Sequence, residues 1–223
     1  MYDHQTDSLW THFTGEAIAG EYQGTKLKVM PAMQTTWGRW RELHPDSKVL
    51  AWRAPTEEDP TGALGFTYDP YLGYYASGWS GYGRVREDDR LAQKDFVLGL
   101  VVNEESMAYA FNDLVGHPVV NDSVGGRDVV IAYEPMSDTA GVFARELDGR
   151  SLTFSFLEEE SAEGPLMADR ETGSRWLLLT AEAIDGPLKG ARLQQLPANY
   201  SFWFAWVDWN PTTGLFLEEN VPS

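Results

Sequence analysis

The sequence predicts an α+β, β-rich protein made of internally duplicated antiparallel β units, each ending in a short tryptophan-bearing helix, with the first unit incomplete. Three observations carry this. Met1–Ser47 aligns without a gap with Met167–Thr213, 166 residues further on, and seventeen of the paired positions are identical. Between Phe96 and Leu217, apolar β-branched runs alternate with short turn signals. In both copies tryptophans recur at steps of three just before a proline.

The self-similarity is specific. It keeps Trp10, Trp37 and Trp40 in register with Trp176, Trp203 and Trp206. Gly20 and Gly24 align with Gly186 and Gly190, and Pro31 and Pro45 with Pro197 and Pro211. A single 166-residue offset rules out a propeller, which needs at least four shorter repeats.

Each copy opens with D-x-x-T-x-S-x-W, which reads as a strand, a polar turn and a strand entering at Trp. Asp and Thr side chains can close such a turn, with Asp7 or Gly173 left-handed. The paired glycines of E-A-I-x-G-x-x-x-G mark a tight connection. TKLKVMP and ARLQQLP alternate apolar and polar like half-buried strands ended by proline. In TTWGRWRELHP and SFWFAWVDWNP the tryptophan spacing predicts a helix, N-capped by Thr36 in one copy and Ser201 in the other, with Trp37, Trp40, Trp203, Trp206 and Trp209 on a core face.

Residues 1–53 therefore read as the C-terminal half of unit one. Residues 54–95 read as an aromatic, Gly/Pro-rich connecting loop pinned by Tyr68, Tyr71, Tyr74, Tyr75, Trp79 and Tyr82. Residues 96–217 form a complete unit two of about seven strands and one or two short helices, and 218–223 a tail. Within unit two, FVLGLVV and MAYAF predict a hairpin across Asn103–Ser106, Gly125–Gly126 a second turn, and Asp148–Gly149 a type I′ hairpin. The half unit lacks its in-chain partner strands. Its Leu9, Trp10, Ile18 and Leu27 are expected to pack on unit two or on another chain, either the missing N-terminal segment or a second copy.

Composition narrows function by exclusion. Asp and Glu outnumber Lys and Arg by 34 to 17, a formal net charge of −17. That opposes binding to nucleic acid or to an anionic membrane surface. The longest apolar run, Phe96–Val102, is far too short to span a bilayer. With no cysteine, disulfides, thiol catalysis and thiolate metal sites are excluded. The opening MYDHQTDSLW carries no signal peptide, so the protein either stays in the cytoplasm or has lost its original N-terminus.

The chemistry-bearing candidates are few. His117 with Asp122 and Glu134 is the minimal donor set for a metal, although a His beside Pro118 reads first as a structural, hydrogen-bonded residue. Asn121 joins the set as a ligand-binding candidate. Glu16 and Glu182, the repeated carboxylates, invite comparison with the paired acids of glycosidases. Their identical setting in the two copies favours a structural hydrogen bond, because catalytic pairs need unlike environments. No G-x-S-x-G, P-loop or dinucleotide fingerprint is present. No metal or other cofactor is expected.

The segments YDHQTDSLWTHFTGEAIAG, TTWGRWRELHPDSKVL, YDPYLGYY, DDRL-x-x-K-x-x-VLG, VVNDSVGGRDVVIAY and FWFAWVDWNP occur in this order. Together they resemble the bacterial and archaeal family called domain of unknown function 3179. The resemblance implies an extracytoplasmic setting and a longer N-terminal part. It also implies Tyr-Cys-Pro-Leu-Cys after the second strand of the Gly-Gly hairpin, where this chain has Tyr133-Glu134-Pro135-Met136-Ser137. His117 fits the family's His before Val-Asn-Asp. The leading expectation is a non-catalytic extracytoplasmic binding or structural module. The alternatives are a glycan-acting hydrolase using paired carboxylates, and a metal-handling protein whose site lay in the absent N-terminal half.

Overall fold

The computed structural model describes residues 1–50, 56–58, 71–80 and 86–216. Three short antiparallel strands open the chain: β1 (Tyr2–Asp3), β2 (Ser8–Trp10) and β3 (Ala17–Ala19), in that order across the sheet. Helix α1 (Trp37–Leu43) follows, with Thr36 Oγ1 accepting from the Arg39 amide at 3.2 Å. A one-turn helix, α2 (Leu72–Ala76), lies in the connecting region. There Tyr74 packs against Tyr71, Tyr75, Trp79 and Phe202, and the Lys94 ammonium sits 3.7 Å over its ring. Tyr68 and Tyr82 lie outside the described residues.

Unit two begins with β4 (Phe96–Val102) and β5 (Glu105–Ala110), closed by a two-residue turn at Asn103 and Glu104, both left-handed. Next come α3 (Phe111–Leu114), β6 (Val119–Val124), β7 (Arg127–Glu134), a 3-10 turn at Pro135–Ser137, and β8 (Thr139–Ala144). The ribbon β9 (Glu146–Leu147) and β10 (Arg150–Ser151) turns at Asp148 and Gly149. The strands β11 (Phe154–Ser161), β12 (Gly164–Asp169), β13 (Arg175–Leu177) and β14 (Ala183–Asp185) form one antiparallel sheet. The chain then runs through β15 (Asn199–Phe202), α4 (Trp203–Trp209) and β16 (Gly214–Phe216).

These elements stack in layers. The sheet β15-β4-β5-β16 covers one face of the sheet β6-β7-β8, burying Leu98, Leu100 and Tyr109 against Val129, Ile131 and Tyr133. The other face of β6-β7-β8 presents Val130, Ala132 and Phe143 to Phe154, Met167 and Trp176 of β11-β12-β13-β14. Helix α4 closes the far side, setting Trp203 and Trp206 on Val97, Ala108 and Ala110. Strands β4 and β7 are thus covered on both faces, which is why they read as unbroken apolar runs rather than as alternation. Gly99 is where an indole lies flat on β4: a Cβ there would meet the Trp206 ring at 2.2 Å.

Local geometry repeats at the 166-residue offset. Trp10 pairs with Ala17 and Trp176 with Ala183, each just after a register shift. Asp3 and Asp169 accept from the hydroxyls of Thr6 and Thr172. Isolated bridges join Glu16 to Lys26 and Glu182 to Arg192, and α1 and α4 occupy equivalent residues. Asp7 and Gly173 are both left-handed, as the turn requires.

Several expectations are corrected. TKLKVMP and ARLQQLP form only isolated bridges instead of strands. Backbone at Gln194–Leu196 runs along β8, with Leu196 N donating to Val142 O at 2.8 Å. The N-cap of α4 is Phe202, with no side-chain cap, rather than Ser201. Unit two contains thirteen strands among the described residues, because turns and bulges divide longer runs. Trp203 and Trp206 are fully buried, whereas Trp37, Trp40 and Trp209 are exposed. Leu9, Ile18 and Leu27 also face solvent instead of packing on unit two. The first module attaches elsewhere. Phe13 stacks on Trp209 with centroids 5.7 Å apart, Met33 joins the core below β8, and Thr35 accepts a 2.7 Å bond from Thr139.

Candidate functional site

Glu134 ends β7 with only 4% of its surface exposed, and Pro135 turns the chain immediately after it into the 3-10 turn. Asp138 then takes a left-handed conformation that starts β8. This sharp reversal brings the Ser137 hydroxyl back to donate to the Glu134 carboxylate. Ser137 Oγ lies 2.7 Å from Thr139 Oγ1, which in turn reaches Thr35 of the first module.

Above this network lies α1. Arg39 Nη2 is 2.8 Å from Glu134 Oε1, and its Nη1 is 3.0 Å from Glu42 Oε2. The guanidinium passes where Gly164 has no side chain; a Cβ there would stand 2.3 Å from Nη2. Two charges taken out of water need this mutual pairing, since either alone would bear a desolvation cost of several kcal/mol. Arg39 Nε is buried without a hydrogen-bond partner. The pair therefore rivets the first module to the end of β7.

Around it opens a cleft of about 1010 Å³, walled by α1, the 3-10 turn, the β11–β12 turn and β13–β14. Four carboxylates line it (Glu42, Glu134, Glu163 and Glu182) against the guanidiniums of Arg39 and Arg192. Arg192 pairs with Glu182, and the buried Thr180 Oγ1 on the same wall has no hydrogen-bond partner.

Of the residues singled out in the sequence, Glu134 and Glu182 meet on this cleft. The others do not converge with them. His117 Nδ1 lies 3.2 Å from Asp113 O. Asp122 accepts from Tyr109 at 2.7 Å, and Asn121 exchanges two hydrogen bonds with the backbone of Phe154. Glu16 pairs with Lys26 at 3.6 Å on the surface. Among the described residues no group of three or more His, Asp or Glu is placed to hold a metal, so His117, Asp122 and Glu134 are not a ligand set.

The electrostatics show where protons are held or shed. Burial pushes the Tyr109 phenol far up, with the Asp122 charge adding to it, and burial with Asp138 does the same to Tyr133. The carboxylates with a resolved shift are all lowered. At Asp3 the Thr6 hydroxyl is the main cause and at Asp88 the Arg90 guanidinium; at Glu171 the pull of burial is outweighed by bonds from Thr153.

Sequence reasoning missed Arg39, Ser137 and Gly164. One signal was present for Arg39: the equivalent position of the second copy is Ala205, so a charge stands where its counterpart has a methyl group.

Fold and cleft define a β-rich α+β protein of stacked, mainly antiparallel sheets, with β16 parallel to β5, and a few short helices, whose charged cleft rests on a buried arginine–glutamate pair. The family model described as protein of unknown function (DUF3179) matches residues 1–213, and the chain belongs to that family. No curated protein and no solved structure matches it. Among the described residues no helix is long and apolar enough to cross a membrane.

Proposed function

We propose that the protein is a non-catalytic binding module and that the cleft beneath α1 receives a cationic group. The observation that carries this reading is the composition of the wall, four carboxylates against two guanidiniums that are already paired. A cation entering there meets Glu163 and Glu42, both exposed. The net charge of −17 would steer such a ligand inward. The family resemblance supports placing this role outside the cytoplasm.

A hydrolytic reading draws on one fact, that Glu134 and Glu182 share the cleft. Each is engaged by an arginine, whereas general acid catalysis needs a carboxyl group that carries a proton to the leaving group. The binding reading accounts for both pairs.

The test is calorimetric titration of the protein with spermidine at low and at physiological salt. Glu42→Gln/Glu163→Gln is expected to weaken binding by about tenfold, equivalent to roughly 1.4 kcal/mol. Glu57→Gln/Glu58→Gln removes the same charge at exposed positions outside the cleft and should leave binding nearly unchanged. Equal losses in both variants, or no binding, would overturn the proposal.

A further inference from the structure

The two helices of the repeated module are alike in backbone and opposite in surroundings. Both run seven residues, and their C-caps share one conformation, His44 at φ −137°, ψ 70° and Asn210 at φ −125°, ψ 70°. Each cap amide returns to the carbonyl of a tryptophan, Trp40 or Trp206. Trp203 and Trp206 are wholly buried, but Trp37 is 50% and Trp40 38% exposed. Leu193 and Leu27 show the same contrast, at 3% and 49%.

What covers α4 is visible in the chain itself. The hairpin β4–β5 offers Val97, Ala108 and Ala110 to the two indoles, and Gly99 leaves the space into which the Trp206 ring fits. Helix α1 shows the same pair of indoles, one turn apart, and among the described residues no such hairpin lies on it. At 100° per residue, Trp37 and Trp40 point away from Arg39 and Glu42, while the Trp40 ring packs on His44, which lines the cleft, with centroids 4.2 Å apart. Paired exposed indoles on a fixed helix are a costly surface to leave in water, and large exposed apolar groups of this kind mark interaction sites.

We propose that the Trp37/Trp40 face of α1 is a docking surface for an antiparallel β-hairpin of the β4–β5 type, aliphatic and small-residue-rich on one side, with a glycine opposite the second indole. The argument for this occupant is the interface the chain already makes once, at equivalent residues of the same module. A second whole copy fits less well, because its own β4–β5 hairpin is already occupied by its α4 and each copy carries a charge of −17. The proposal does not rest on any ligand in the cleft.

The test uses the full chain and a fluorescently labelled synthetic peptide spanning Asp95–Phe111, followed by anisotropy. Saturable binding is expected at concentrations on the order of 100 μM or below. Trp37→Ser and Trp37→Ser/Trp40→Ser should weaken it about tenfold or more, with far-ultraviolet circular dichroism confirming that the variants keep their fold. A peptide carrying Gly99→Leu should bind no better than a scrambled one, a comparison that needs no protein variant. Undiminished binding by the serine variants or by the leucine peptide would overturn the proposal, as would no binding of the native peptide. Sedimentation showing a dimer lost in Trp37→Ser would also overturn it, by making a second copy the occupant.

Discussion

Trp40 and Trp206 make the same hydrogen bond in opposite environments: each indole N–H donates to a hydroxyl seven residues on, Ser47 and Thr213, at 2.9 Å in both cases. The polar edge of the ring is satisfied in either setting. Only the apolar face differs, and so the energetic role of the ring should differ with it. Trp206→Ala removes a fully buried ring and leaves a cavity against Val97 and Ala108, at a cost of about 3–5 kcal/mol. Trp40→Ala, at a position open to solvent, should cost under about 1 kcal/mol. Urea unfolding of the two variants checks the contrast, and comparable losses would contradict the burial described.

Two glycines predict changes of opposite sign. Alanine at Gly99 places a methyl group 2.2 Å from the Trp206 ring, deep between β4 and α4, where neither can retreat without opening the core. Overpacking of this kind costs about 1–3 kcal/mol or more. Gly38 lies within α1 with nothing near its would-be Cβ. Gly38→Ala should stabilise the protein by about 0.5–1 kcal/mol through helix propensity alone. Thermal unfolding should show the first midpoint falling and the second rising.

The contrast between these positions also explains what could be read in the sequence. The turns at Gly125–Gly126 and Asp148–Gly149 were legible because left-handed backbone restricts the residue types that can occupy them. The module was legible because Asp3, Thr6, Ser8 and their counterparts close the same turn through their own side chains. The cleft was not. Arg39 and Glu134 are ninety-five residues apart and meet only because Met33–Arg39 docks on the end of β7. No local pattern encodes that encounter. The exposure of Trp37 and Trp40 was hidden for a related reason: helical spacing reports which side chains share a face, not whether anything lies on it.

Asn121 is a structural clamp, and its replacement should loosen one joint. Its Nδ2 donates to Phe154 O at 2.7 Å and its Oδ1 accepts from Phe154 N at 2.8 Å, so the side chain imitates a neighbouring strand and ties β6 to the start of β11. Asn121→Ala leaves both backbone groups without this partner, at a cost of about 1–3 kcal/mol. Asn121→Asp keeps the acceptor but sets a carboxylate oxygen against Phe154 O, so it should recover little. Hydrogen exchange at the Phe154 amide should accelerate in both variants; unchanged protection would show that the clamp is idle.

Alkaline titration should reveal a late-ionising set of buried tyrosines. Burial raises Tyr109 and Tyr133 far above the ordinary value of 10.0 and pushes Tyr200 up to about 12. A phenol that holds its proton more tightly when folded contributes stability that is complete below pH 10. That contribution is lost as the pH rises from there through the folded value. Absorbance near 295 nm should therefore show these three still protonated above pH 10, and a late step should coincide with unfolding. One uniform titration near pH 10 would contradict the packing of β5, β7 and β15.

The Arg39–Glu134 pair yields a prediction that distinguishes stability from complementarity. The side chains are 12% and 5% exposed, so removing either partner leaves a largely desolvated charge behind. Arg39→Met should cost about 3–5 kcal/mol, nearer the lower figure because Ser137 still donates to the carboxylate. Glu134→Gln should cost a similar amount, stranding the guanidinium between its remaining partner Glu42 and the backbone of Gly164. The double variant Arg39→Met/Glu134→Gln buries no unpaired charge and should recover much of the loss, because a well-packed neutral pair often matches a buried ion pair. A double-mutant cycle by urea unfolding measures this directly. Additive losses would mean that the two side chains act separately and that the first module is held to unit two by its other contacts, among them those of Phe13, Met33 and Thr35. Strong coupling would identify the ion pair as the rivet between the module and unit two, and would make the cleft that opens beside it a rigid one.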